Sequence, residues 1–126
     1  PGRYEEGEPG SPLIALETAA RHLHRITEAV EFWFIERDEE RLAHLVREIE
    51  ALNLPKNFEI SPLLGEFDAV VRPKLEAAAR TGEQFGPTFA FIDPFGFSKI
   101  PMTTVKLLLK NRSCEIFVNI MVEPIN

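Results

Sequence analysis

The sequence predicts an α/β fold with a parallel sheet and helices on both faces, and two observations carry that expectation. Four short apolar runs, at 30–35, 58–60, 88–92 and 115–121, alternate with stretches whose apolar residues recur at three- and four-residue steps. The runs are nearly continuous rather than alternating, which is the pattern of strands covered on both faces. Parallel sheets need such strands, because crossover helices lie on both sides of the sheet. The expected order is a helix, then strand and helix three times, then a last strand.

Each element has a local reason. Residues 1–10 are rich in Gly, Pro and Glu and read as loop. Ser11 and Pro12 suggest a hydroxyl N-cap with proline at the first helical position. Leu13, Leu16, Ala20, Leu23 and Ile26 then extend an amphipathic helix to about residue 28. Asp38 can cap the second helix, whose core side is Leu42, Leu45, Val46, Ile49 and Leu52 and which Asn53 and Pro55 end. The third helix is expected from Asp68 to Arg80, with Val71, Leu75, Ala78 and Ala79 inward and Pro73 tolerable only near its first turn. A fourth follows Pro101 and carries Met102, Val105, Leu108 and Leu109. Phe34, Ile60, Phe91 and Phe117 are the expected strand contributions to the core.

At 126 residues the chain has one domain's length, so residues 1–126 are read as a single, partial domain. A parallel α/β chain that begins with a helix has lost its first strand or borrows one. Pro1-Gly2 at one end, and Pro124-Ile125-Asn126 directly after an apolar run at the other, suggest the middle of a longer protein. Removing a central strand leaves unpaired backbone, so self-association through exposed sheet edges is expected.

Composition narrows the function classes. With 44% hydrophobic and 27% charged residues, the chain is not collagenous, low-complexity or disordered. Its one cysteine, Cys114, can form neither an internal disulfide nor a structural zinc site, and a cytoplasmic location is expected. No apolar run reaches membrane-spanning length and no signal pattern opens the chain. A formal charge of −6 argues against bulk nucleic-acid affinity, although a partner or another domain can still present a nucleic-acid substrate.

Open α/β sheets bind ligands at the carboxyl ends of their strands, so the polar residues after each apolar run are the candidates. They are Glu36-Arg37-Asp38, then Gly65-Glu66-Phe67, then Asp93-Pro94-Phe95-Gly96, and at the last run Asn119, Glu123 and Asn126. Glu36 suits a ribose, since a carboxylate accepts from both vicinal hydroxyls; the structural alternative is that Glu36 and Asp38 only start a helix. In Asp93-Pro94-Phe95-Gly96, proline sets the backbone, glycine permits a close approach and the aromatic can stack on a flat base. A carboxylate beside such a platform could hold an exocyclic amine in line with a methyl donor. The same four residues also read as a helix cap and turn with Phe95 in the core. His22, His24 and His44 read as surface residues. No metal-ligand spacing and no Ser/His/Asp grouping is present.

Pro1-Gly2-Arg3-Tyr4, Gly10-Ser11-Pro12-Leu13-Ile14-Ala15-Leu16, Phe34-Ile35-Glu36-Arg37-Asp38, Gly65-Glu66-Phe67, Phe91-Ile92-Asp93-Pro94-Phe95-Gly96 and Val118-Asn119-Ile120-Met121 together resemble the three-Cys-motif partner protein family. The resemblance covers essentially the whole chain. It implies a Rossmann-like, class I methyltransferase-type fold whose first strand is missing here. That strand would lie between those ending at Glu36 and Asp93. The cofactor implied is S-adenosylmethionine (SAM), and the partner a radical-SAM-like protein with a three-cysteine motif. Carried over, Gly2 is the remnant of the cofactor glycine loop and Glu36, with Arg37 beside it, the ribose end. Gly65 and Glu66 stand near the adenine amine, and Asp93, Pro94, Phe95 and Gly96 form the reaction-centre motif. Asp-Pro-Phe-Gly departs from the Asn/Asp-Pro-Pro-Tyr/Phe form of adenine-N6 enzymes and looks more like the corresponding motif of tRNA guanine-N2 dimethyltransferases.

Two functions compete. One is a SAM-dependent methyltransferase acting on a nucleic-acid base amine. The other is a catalytically silent methyltransferase-like module that binds the three-cysteine partner. An NAD-dependent enzyme also places an acid after a Rossmann strand, but Asp-Pro-Phe-Gly has no role in hydride transfer.

Overall fold

The structure is a computed structural model that describes residues 7–22, 26–93 and 100–119. Eight elements succeed one another: α1 (Ser11–Arg21), β1 (Val30–Glu36), α2 (Glu39–Glu50), β2 (Phe58–Leu64), α3 (Phe67–Thr81), β3 (Thr88–Ile92), α4 (Met102–Leu109) and β4 (Cys114–Val118). The expected alternation is present, and both strand pairs are parallel. The chain divides into two compact units between Glu66 and Phe67.

In the first unit β1 pairs with β2, Val30 opposite Phe58 through Glu36 opposite Leu64. Phe32 and Phe34 share a face of β1, and the Phe32 ring lies 4.9 Å from that of Phe58. Helix α2 packs on both strands. Its Leu45 is buried, as are Leu13 and Leu16 of α1. β2 runs four residues beyond the expected 58–60 and includes Pro62. Proline is tolerated there because β2 has one partner strand among the described residues, so its other edge takes no ladder bond.

Helix α1 differs from expectation at both ends. Gly10 is its N-cap and Ser11 is already helical, with Ile14 N–H donating to the Gly10 carbonyl at 3.1 Å. The helix ends at Arg21 rather than near residue 28. Residues 23–25 lie outside the described residues. The Asn57 side-chain amide donates to the carbonyls of Ile26 and Glu28, both at 2.8 Å, and holds these two in a non-helical approach to β1. Ile26, expected on the apolar stripe, is 61% exposed.

In the second unit β3 pairs with β4 from Thr88 opposite Cys114 to Ile92 opposite Val118. α3 packs on α4, and α4 on β4. Val71, Leu75, Ile92 and Leu108 are buried. Pro73 is not near the first turn of α3 but at its seventh residue, inside the helix. Burial of Val71 and Leu75 on either side of it keeps the helix going despite the lost bond. Ala79, expected inward, is exposed, as are Met102 and Leu109.

Phe91 and Phe117 are not in the core. Burial along β3 and β4 alternates with period two, and Phe89, Phe91, Glu115 and Phe117 are on the exposed face. The Phe91 and Phe117 rings stack on each other, centroids 5.4 Å apart and nearly parallel. Among the described residues no helix is long and apolar enough to cross a membrane.

Candidate functional site

The polar residues of interest lie past the carboxyl ends of the strands, in two groups, one in each unit. In the first unit Glu36 closes β1, and its backbone carbonyl accepts from Gly65 N–H at 3.0 Å, which extends the ladder past Leu64. The Glu36 carboxylate accepts from the backbone N–H of Asp38 at 3.0 Å through Oε1. That bond fixes the carboxylate's direction at the strand tip. Asp38 itself is the N-cap of α2 and accepts from Arg41 N–H at 2.9 Å, the helix-start role that its position suggested. The Arg37 guanidinium stands 3.7 Å from the Glu66 carboxylate. Both side chains are about half exposed, so the pair adds at most about 1 kcal/mol of stability. Gly65 has φ 149°, a conformation side chains rarely adopt, and makes the turn between β2 and α3. Glu36, Arg37, Gly65 and Glu66 are thus brought together at one strand end.

In the second unit Asp93 comes directly after β3 and is exposed. The register that pairs Ile92 with Val118 brings the next residues, Asp93 and Asn119, opposite each other. Asn119 N–H donates to the Ile92 carbonyl at 2.9 Å and continues the ladder. Its side-chain Nδ2 donates to Asp93 Oδ1 at 3.1 Å. Both residues are on the face of the sheet that carries Phe91 and Phe117. Gly2, Pro94, Phe95 and Gly96 lie outside the described residues.

The same unit holds a cluster that sequence reasoning missed. Thr104 of α4 is fully buried, and its hydroxyl donates to Asp68 Oδ1 near the start of α3. Arg72 closes the group, with Nη2 at 2.5 Å from Asp68 Oδ2 and Nε at 3.3 Å from the Thr104 hydroxyl. This pins α3 to α4. The sequence signal for it was Thr104 standing four residues before Leu108, on the same helical stripe.

His44 lies 3.9 Å from Glu48 on the next turn of α2, and His22 is exposed. Among the described residues no group of three or more His, Cys, Asp or Glu is arranged to hold a metal ion. Cys114, partly buried at the start of β4, has its thiol pKa pushed up by desolvation. No family model, curated protein or solved structure matches this chain.

Proposed function

We propose that the chain is a Rossmann-like, class I methyltransferase-type domain of the three-Cys-motif partner kind, transferring a methyl group from SAM to a nucleic-acid base amine. The observation that carries this reading is an acid at the carboxyl end of a strand in each parallel pair, Glu36 as the last residue of β1 and Asp93 directly after β3. The alternation of helices with strands paired in parallel within each unit is compatible with it.

The residues present fit the ribose end of SAM. Glu36 is oriented by the Asp38 N–H through one oxygen, and a carboxylate has lone pairs for two vicinal hydroxyls besides. Glu66, beside Arg37, would accept from the adenine amine. Bound SAM supplies an electrophilic methyl group on a sulfonium. Asp93 would accept a hydrogen bond from the acceptor amine and take up the proton that the amine loses on methylation, passing it to water. The protein's contribution is positioning and charge.

The second reading, a silent module that binds a radical-SAM-like three-cysteine partner, is favoured by the contacts these acids already make. Glu36 caps a backbone N–H and Glu66 pairs with Arg37, which are structural uses of both carboxylates. Calorimetric titration of the full-length protein with SAM, with NAD as control, tests the first reading. Saturable heat with SAM and none with NAD is expected. Absence of SAM binding removes the cofactor assignment and leaves the partner-binding reading.

A further inference from the structure

We infer that Asn119 is the positioning residue for the Asp93 carboxylate, a role that rests on the methyltransferase reading above. The two residues come immediately after the last strand pair in register, and the backbone bond from Asn119 N–H to the Ile92 carbonyl locks that register at 2.9 Å. An asparagine directly across from an aspartate on one sheet face can reach it with its amide, and Nδ2 donates to Oδ1 at 3.1 Å. An exposed aspartate on a strand tip otherwise samples several χ1 and χ2 rotamers. The Asn119 amide selects one of them and takes one carboxylate oxygen. Oδ2 is then presented in a fixed direction to the acceptor amine. A neutral donor does this without removing the carboxylate's charge, whereas a lysine or arginine at 119 would neutralise it. Asn119 touches neither the methyl donor nor the acceptor, so its effect passes through Asp93.

Two measurements on the full-length protein test this. The first needs no activity. In nitrogen-15 spectra the Asn119 side-chain amide signals should shift in Asp93→Ala, and their protons should exchange with water faster than in wild type. An Asn119 amide whose signals and exchange are the same in wild type and Asp93→Ala overturns the pairing whatever the enzyme does. The second is a double-mutant cycle on methyl transfer from labelled SAM to nucleic acid. Asn119→Ala should lower kcat about tenfold with the KM for SAM unchanged. In an Asp93→Asn background the same change should cost less than about twofold, because the carboxylate it positions is gone. Equal transfer by wild type and Asn119→Ala overturns the positioning role and leaves the methyltransferase reading standing. A shift that depends on Asp93, in a wild-type protein that methylates no nucleic acid, overturns the methyltransferase reading and reduces the pair to a strand-end contact.

Discussion

The buried hydroxyl of Thr104 donates to the carboxylate of Asp68 and, with the Arg72 contact to the same hydroxyl, this bond ties α4 to the amino-terminal part of α3. Thr104 is completely excluded from solvent, while Asp68 and Arg72 keep partial exposure. The carboxylate is therefore stabilised by a neutral donor on the inside and a guanidinium on the outside. Thr104→Val preserves shape but removes the donor. A hydrogen bond to a charged group contributes about 1.5–3 kcal/mol, so the variant is expected to lose about 2 kcal/mol. Thr104→Ser, which keeps the hydroxyl, should lose less. Denaturant melts of the three proteins compare them directly; a Thr104→Val midpoint equal to wild type would show that Arg72 alone satisfies Asp68.

Asn57 works over a longer sequence distance. By holding the carbonyls of Ile26 and Glu28 it sets where the chain enters β1, and Val30 N–H then donates to Asn57's own carbonyl at 2.9 Å. Asn57→Ala removes both side-chain bonds and leaves the backbone one. The segment is exposed, so water replaces part of the loss, and destabilisation of about 1–2 kcal/mol is expected. Hydrogen exchange should localise it, with faster exchange at the amino-terminal end of β1 than at its carboxyl end. Uniform acceleration along β1 would instead mean that the whole strand pair depends on Asn57.

Pro73 is exposed and lies within α3, where it has no N–H to donate to the carbonyl of Ala69. Pro73→Ala restores that bond and relieves the ring's clash with the preceding turn. Stabilisation of about 1–3 kcal/mol is expected, reduced somewhat because proline also restricts the unfolded chain. Thermal melting decides the sign. A fall in Tm would mean that proline's restriction of the unfolded chain outweighs the restored bond.

Desolvation pushes the Cys114 thiol pKa above its ordinary value. The thiolate is the reactive form, so a raised value leaves less of it at neutral pH. Alkylation by iodoacetamide at neutral pH should be slower in the folded protein than in urea. It should also keep rising with pH beyond the point where an unfolded thiol levels off. Equal rates folded and unfolded at neutral pH would contradict the assigned burial.

The strands were readable because each is an apolar run bounded by turn residues, and the second helix because Asp38 caps a regular stripe. What misled was the same signal without its context. Ile26 continues the period of α1, yet Asn57 claims its carbonyl, and nothing in the local sequence of either segment announces the other. Apolar runs also promised cover on both faces, whereas Phe91 and Phe117 have it on one side of the sheet only. The positions of Glu36, Arg37, Gly65, Glu66 and Asp93 at the carboxyl ends of β1, β2 and β3 were legible from the polar residues that close each apolar run. The Asp93–Asn119 bond was not, because it depends on which residues of two strands stand opposite each other. Register is a property of the pair.

Asp93 is the residue on which the catalytic reading turns. If the protein transfers methyl groups, this carboxylate accepts a hydrogen bond from the target amine and stabilises positive charge developing on nitrogen. Asp93→Asn keeps the size and some polarity but removes the charge. Losing a charge-assisted bond to the reacting amine costs about 3 kcal/mol, on the order of a hundredfold in rate. Asp93→Ala should be slower still, since the amine then has no acceptor at all. SAM binding should survive in both, because Glu36 lies on a different strand and is oriented by Asp38 independently of β3. The silent-module reading expects something else: both changes would act only through stability or partner binding. The measurement is methyl transfer from labelled SAM to nucleic acid by full-length wild type, Asp93→Asn and Asp93→Ala, with and without the three-cysteine partner, alongside calorimetric SAM binding. Transfer by wild type together with equally fast transfer by Asp93→Ala would reduce Asp93 to the helix-start residue that its sequence position also allows.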